Sequence, residues 1–201
     1  MKTFLTIALL ASAAVFTPAH ADQTTPAPII GVVAQATLDQ SAALQSIVKQ
    51  VEAKRADIQK ELAKYEKDLK EQDKKLAEEQ KTLSEKDFAD KRQAFEKKVR
   101  DIQEKIELKR IQMELGVDEA KKKVYQAFLK ASDEVSKEAG VNVMLYKETI
   151  VTADPTFDLS SKVLEKLNKA LPTVQVSFKS EDEIKKLIKK QAQPQQAAAK
   201  S

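Results

Sequence analysis

Carboxylates and ammonium groups are almost the only reactive side chains in this sequence. Glu78 and Glu79 stand side by side, a pair that could share a proton, but they lie in an alternation of Lys and Glu that reads as the solvated face of a helix. Nothing around them in sequence suggests a concave site. His20 is the only histidine, and there is no cysteine or tryptophan. Beyond the first 21 residues the chain therefore offers no imidazole or thiol nucleophile and no soft zinc ligand. We expect no enzyme activity, no metal and no cofactor. The other charged feature is basic: Lys74-Lys75, Lys91-Arg92 and Lys97-Lys98-Arg100. These clusters could steer acidic segments or anionic lipid headgroups toward the chain. Acids interleave them at helix-stabilising spacing, as Glu71 with Lys75, Asp87 with Lys91 and Glu96 with Arg100, so a solvated helix face is the competing reading. A net charge of only +4, with few aromatics near the clusters, argues against nucleic acid.

These residues need a scaffold, and the proline pattern indicates which. No proline occurs between Pro28 and Pro155, and most of that stretch carries a sparse apolar repeat among Lys and Glu, the signature of a long helical rod. The repeat reflects about a point. Leu83, Leu76, Leu69 and Leu62 step back by sevens while Phe88, Phe95, Ile102 and Lys109 step forward by sevens. The same register pairs Tyr65 with Ile106, Ile58 with Met113 and Val51 with Ala120, as a folded-back coiled coil requires. Ser84, followed three residues later by Asp87, resembles the capping box that opens a helix. The spacing thus predicts an antiparallel helical hairpin over residues 41–139 with its tip near 84–87. The alternative is one straight helix pairing with copies of itself, which gives the cap no role.

The flanks have a different period. Residues 1–21 combine Lys2, an apolar run too short to span a bilayer and Ala19-His20-Ala21, the pattern of a cleaved signal peptide. This implies export from the cytoplasm, and residues 22–28 read as a linker. Segments 29–40 and 140–179 form the expected body. Ile30, Val32 and Val33 belong to one short apolar strand, Val143 and Leu145 to another entered through Gly140, and residues 149–152 read as a third. Asp158-Leu159-Ser160-Ser161 should cap a short helix bearing Val163, Leu164 and Leu167. Val174, Val176 and Phe178 alternate as an extended piece. Ser180 and Glu183 form a second capping box before a small amphipathic helix, and residues 191–201 read as disordered within a tail of 180–201. The tail helix combines a small apolar face with four lysines, so an anionic membrane surface competes with docking onto the body or plain disorder.

The fold class expected is therefore α+β, mostly α: a long helical hairpin on a small β-rich body. A body of this size, without disulfides, buries little apolar surface, which favours self-association through its strands. Three apolar residues exceed what the hairpin seam needs. Leu108, Ile111 and Leu115 could face a ligand, or else pack between helices near the body. Gly116 lies inside the returning helix, either as a pivot or as an ordinary tolerated glycine that costs about 1 kcal/mol relative to alanine.

The order of parts resembles a known family. A leader, a Val32-Val33 strand, a long charged hairpin, Val143-Met144-Leu145-Tyr146, then Asp158-Leu159-Ser160-x-x-Val163 and Leu167-Asn168 are similar to the Skp (OmpH-like) periplasmic chaperones over roughly residues 29–171. Where that family often has an Asp after the first strand, this chain has Ala34-Gln35. The resemblance implies a homotrimer whose helical tentacles enclose a cavity, and a periplasmic holdase for unfolded outer-membrane β-barrel proteins that needs no ATP. The competing classes are a structural or adaptor coiled coil of the envelope and, well behind, an enzyme.

Overall fold

The computed structural model describes residues 27–198, with side chains described to residue 190. The expected leader, and all but the end of the expected linker, lie outside the described residues. Two helices dominate: α2 (Ala42–Glu79) and α3 (Glu85–Ala139). At ~1.5 Å per residue they are about 57 Å and about 82 Å long. Their ends are chemically marked. The Ser41 hydroxyl accepts the Leu44 N–H, and Ser84 accepts the Asp87 N–H at 3.2 Å, filling donors that a first helical turn leaves unpaired. Gly140 closes α3 in the left-handed conformation at φ 68°. The Val141 N–H reaches back to the Ser136 carbonyl at 2.8 Å, a closure that favours a residue without Cβ. The hairpin turn occupies residues 80–83, immediately before the Ser84 cap. Among the described residues no helix is long and apolar enough to cross a membrane.

The sheet is smaller than the sequence suggests. Strand β1 (Ile30–Val33) pairs in parallel with β2 (Val143–Tyr146), Val32 opposite Leu145. A parallel pair needs a long crossover, and here that crossover includes the whole hairpin. The third strand expected at residues 149–152 is absent. A 3-10 turn at Lys147–Thr149 replaces it, held by the Ile150 N–H on the Lys147 carbonyl and the Thr149 hydroxyl on the Tyr146 carbonyl. A later segment contacts β1 instead, where the Leu159 N–H donates to the Val32 carbonyl at 2.8 Å. Val151 consequently points fully into solvent. Among the described residues the body's sheet is one two-stranded ribbon, set beside helical segments.

Two adjoining cores result. In the first, Phe128, Ala131 and Val135 of α3 pack with Val33, Leu159 and the α4 (Ser160–Ala170) residues Val163 and Leu167. The Asp-Leu-Ser element proves to be structural cement. Asp158 accepts the Ser160 N–H at 2.9 Å, Ser160 accepts the Ala34 N–H at 2.8 Å, and Asn168 accepts the Ala42 N–H at 2.8 Å. Hydrogen bonds from Lys147 and from the Ser160 side chain and backbone lower the Asp158 pKa to about 2. Short helix α1 (Ala36–Asp39) follows β1, and the Gln35 N–H at its start is met by the Glu148 carboxylate at 2.9 Å.

The second core lies at the root of the arm, where Ala43, Ile47, Ala120 and Val124 pack with Val174 and Val176. The last two belong to a strap, residues 172–180, laid across both helices. It has no sheet partner, so α2 side chains satisfy its backbone. Ser46 Oγ accepts the Val174 N–H, Gln50 Oε1 accepts the Val176 N–H, and Gln50 Nε2 donates to the Val174 carbonyl at 2.7 Å. Buried amides require partners of this kind. The final helix, α5 (Glu181–Ala198), follows the strap. It continues through residues 191–198, where disorder was expected; Gln and Ala, which dominate there, are good helix formers. Residues 199–201 lie outside the described span.

Candidate functional site

Two stretches of the arm present apolar surface in an unusual setting. Toward the tip, Leu76, Phe88 and Phe95 stay half-buried, because only two helices meet there and the seam has solvent on both sides. Leu76 and Phe95 line a shallow cleft on each side. One is bordered by Lys75, Lys91 and Lys98, the other by Phe88 and Arg92. The basic residues are therefore near an apolar seam, but several already have acidic partners. Lys91 bridges the hairpin to Glu79 at 2.6 Å, not to Asp87 as its spacing suggests. Lys98 pairs with Asp68, and this lowers the Asp68 pKa. Arg92 pairs with Glu96 at 3.0 Å, and Glu71 meets Lys67, not Lys75. Lys74 and Lys97 are exposed and line neither cleft. Exposed pairs of this kind contribute about 0–1 kcal/mol each.

Nearer the root the seam becomes more polar and better covered. Lys109, at an apolar-register position, buries most of its length and meets Glu61 at 2.9 Å. Glu61 also accepts a hydrogen bond from the Tyr65 hydroxyl. The Lys109 hydrogen bond, followed by that from Tyr65, lowers the Glu61 pKa, while the Glu61 contact and burial push Tyr65 up to about 12.

Helix α5 docks on this part of the arm. Its start has the expected box: the Ser180 N–H donates to Glu183 at 2.8 Å, and the Glu183 N–H donates to Ser180 Oγ. Ile184 is fully buried. Lys185 reaches Glu104 of α3 at 2.8 Å, Lys179 pairs with Glu119, and Gln112 donates to the Lys179 carbonyl. Between the helices runs a groove lined by Ile111 and Leu115 of α3 and by Ile184, Leu187 and Ile188 of α5. Burying one isoleucine stabilises by about 1.5–3 kcal/mol, more than the flanking ion pairs supply.

The three surplus apolar residues thus have different surroundings. Ile111 and Leu115 share the groove. Leu108 is only 5% exposed, while Ile106, expected in the seam, is 41% exposed. Leu108 lies four residues after Glu104 and three before Ile111, so it belongs to the face that α5 covers and is not open to a ligand. Gly116 sits beneath the strap. A Cβ there would stand 2.7 Å from the Ser177 carbonyl oxygen, and this close approach accounts for the glycine without a pivot.

In the body, Val32 and Val33 are buried within the single chain. Ile30 and Leu145 are exposed, as are Ile29 and Phe157, and Val143, opposite Ile30, is half-buried. Sequence reasoning missed the strap's partners Ser46 and Gln50 and the docking of Ile184 on the arm. The capping box and the Ile184-Leu187-Ile188 face were the available signals for the latter.

The sequence model of the family described as "Outer membrane protein (OmpH-like)" matches residues 29–167. The chain belongs to this OmpH-like family. No match is found among curated proteins. Among solved structures, a candidate OmpH-like outer membrane chaperone from Caulobacter crescentus CB15 is similar, with 18% sequence identity and a TM-score of 0.71. The match covers 78% of this chain and 94% of that one. It establishes a shared fold, a long helical hairpin on a small mixed body. The strap and α5 follow the span matched by the OmpH-like family.

Proposed function

We propose that this OmpH-like protein is an ATP-independent periplasmic holdase that keeps unfolded outer-membrane β-barrel proteins from aggregating. Family membership supports a chaperone role. The observation that carries the finer reading is the distal arm, where half-buried Leu76, Phe88 and Phe95 are flanked by clefts and surrounded by charge. Such a surface offers many weak apolar contacts while its charged faces keep the arm soluble. Copies assemble through the body, as a homotrimer, and exposed Ile30 and Leu145, on adjacent strands β1 and β2, support this. Arms held on one platform then surround a client, and contacts repeated on each arm add up to avidity. Anionic lipid or lipopolysaccharide headgroups are secondary ligands of the basic residues near the tip. In the test, a urea-unfolded β-barrel protein is diluted into buffer with the chain lacking residues 1–21 and without nucleotide. Light scattering should stay low at near-stoichiometric ratios. Unchanged aggregation, or protection only with nucleotide, would overturn the reading.

A further inference from the structure

The strap and α5 are consecutive in sequence but unequally anchored. The strap buries Val174 and Val176 and has its backbone bonded by Ser46 and Gln50. Among its described side chains, helix α5 is held through one fully buried residue, Ile184, and the solvent-facing Lys185–Glu104 pair. Leu187 and Ile188 line the same groove as Ile111 and Leu115 yet remain 36% and 42% exposed. The groove is therefore incompletely filled by its built-in occupant. The α5 capping box is internal to Ser180 and Glu183, so the helix can keep its start when it leaves the arm. Elements of low local stability that cover a surface are the ones that open first.

We propose that α5 is a displaceable latch, and that the groove beneath it, walled by Ile111 and Leu115, takes a short apolar stretch of an unfolded polypeptide once α5 lifts. This rests on the holdase reading and adds to it a defined contact at the root of each arm. An amphipathic segment already occupies the groove through an aliphatic side chain, which identifies the chemistry that fits. Competition follows: client and α5 cannot both cover Ile111 and Leu115. A latch closed nine-tenths of the time weakens apparent client affinity roughly tenfold.

The experiment uses the full chain and a urea-unfolded outer-membrane β-barrel protein as the probe, with affinity read by fluorescence anisotropy. Ile184→Asp should release α5 and tighten binding roughly tenfold, with faster amide exchange in α5 and unchanged exchange in the strap. Glu104→Cys with Lys185→Cys, closed by a bis-maleimide in this cysteine-free chain, should weaken binding severalfold relative to the same variant capped singly. Equal affinity in wild type, released and locked forms would overturn the latch while leaving the holdase reading intact. Absence of binding in all three, wild type included, would overturn the holdase reading and the latch with it. If Ile184→Asp gained affinity only for anionic phospholipid vesicles, a membrane-facing tail would replace the proposal.

Discussion

At the root of the arm Ala43, Ile47, Ala120 and Val124 are almost completely buried, whereas toward the tip of the same two helices Leu76, Phe88 and Phe95 remain half-exposed. The difference is one of layers. Two helices bury only a narrow stripe of side chains; at the root the strap adds a third layer, and in the body α4 and the strand pair do so. The tip is left as a thin coil whose exposed charges pair across and along the hairpin. Stability should therefore reside at the base and ligand contact along the arm.

Cavity-forming substitutions should expose that gradient most strongly. Phe128 is buried in the body core, and Phe128→Ala should cost about 3–5 kcal/mol in guanidinium unfolding. Phe95→Ala, on the half-exposed seam, should cost roughly half as much. Equal costs would show the tip to be as well packed as the body and would remove the comparison.

A smaller change tests the strap. In an open helix Gly116→Ala would stabilise by about 1 kcal/mol. Here the added methyl meets the Ser177 carbonyl, so the expected result is a net loss of about 1–3 kcal/mol with faster amide exchange at residues 174–178. A gain in stability would mean that the strap does not close on α3.

Most of the rod was legible in the sequence because helix signals are local. The Ser84 cap, the Gly140 stop and the sevenfold apolar steps each act within a turn or two, and the structure has all three. What was not legible depends on distant partners. Ser46 and Gln50 read as ordinary polar positions because their ligands, the amides of Val174 and Val176, lie more than a hundred residues away. Residues 149–152 had strand composition, but the place beside β1 goes to residues 158–159. Leu108 looked surplus because its cover arrives with α5. The OmpH-like body was recognisable from Asp158-Leu159-Ser160, although the reason for those residues, a set of backbone-capping bonds, required the coordinates.

The smallest effect concerns pH and belongs to the body alone. Bonds from Lys147 and Ser160 hold the Asp158 pKa at about 2, below its ordinary 3.8. A depressed carboxylate contributes its full stabilisation above the ordinary value and loses it as pH falls toward 2. Asp158→Asn should cost on the order of 1 kcal/mol at neutral pH, since the Lys147 partner meets solvent. The loss should shrink as pH falls through the folded pKa, with wild type and variant converging below pH 2. A difference independent of pH would mean that packing, not the carboxylate charge, makes this residue matter.

The division between a stable base and a holding arm is tested most directly by shortening the arm. Leu69 and Ile102 face each other in the proposed register, so removing residues 69–102 and closing the helices with a short glycine-serine turn keeps the remaining seam in step. The account predicts that the shortened protein retains the number of copies per assembly and the cooperative unfolding of the full-length form but loses most of its protection of a urea-unfolded β-barrel protein. Undiminished protection by the shortened protein would contradict it and place the holding surface on the body.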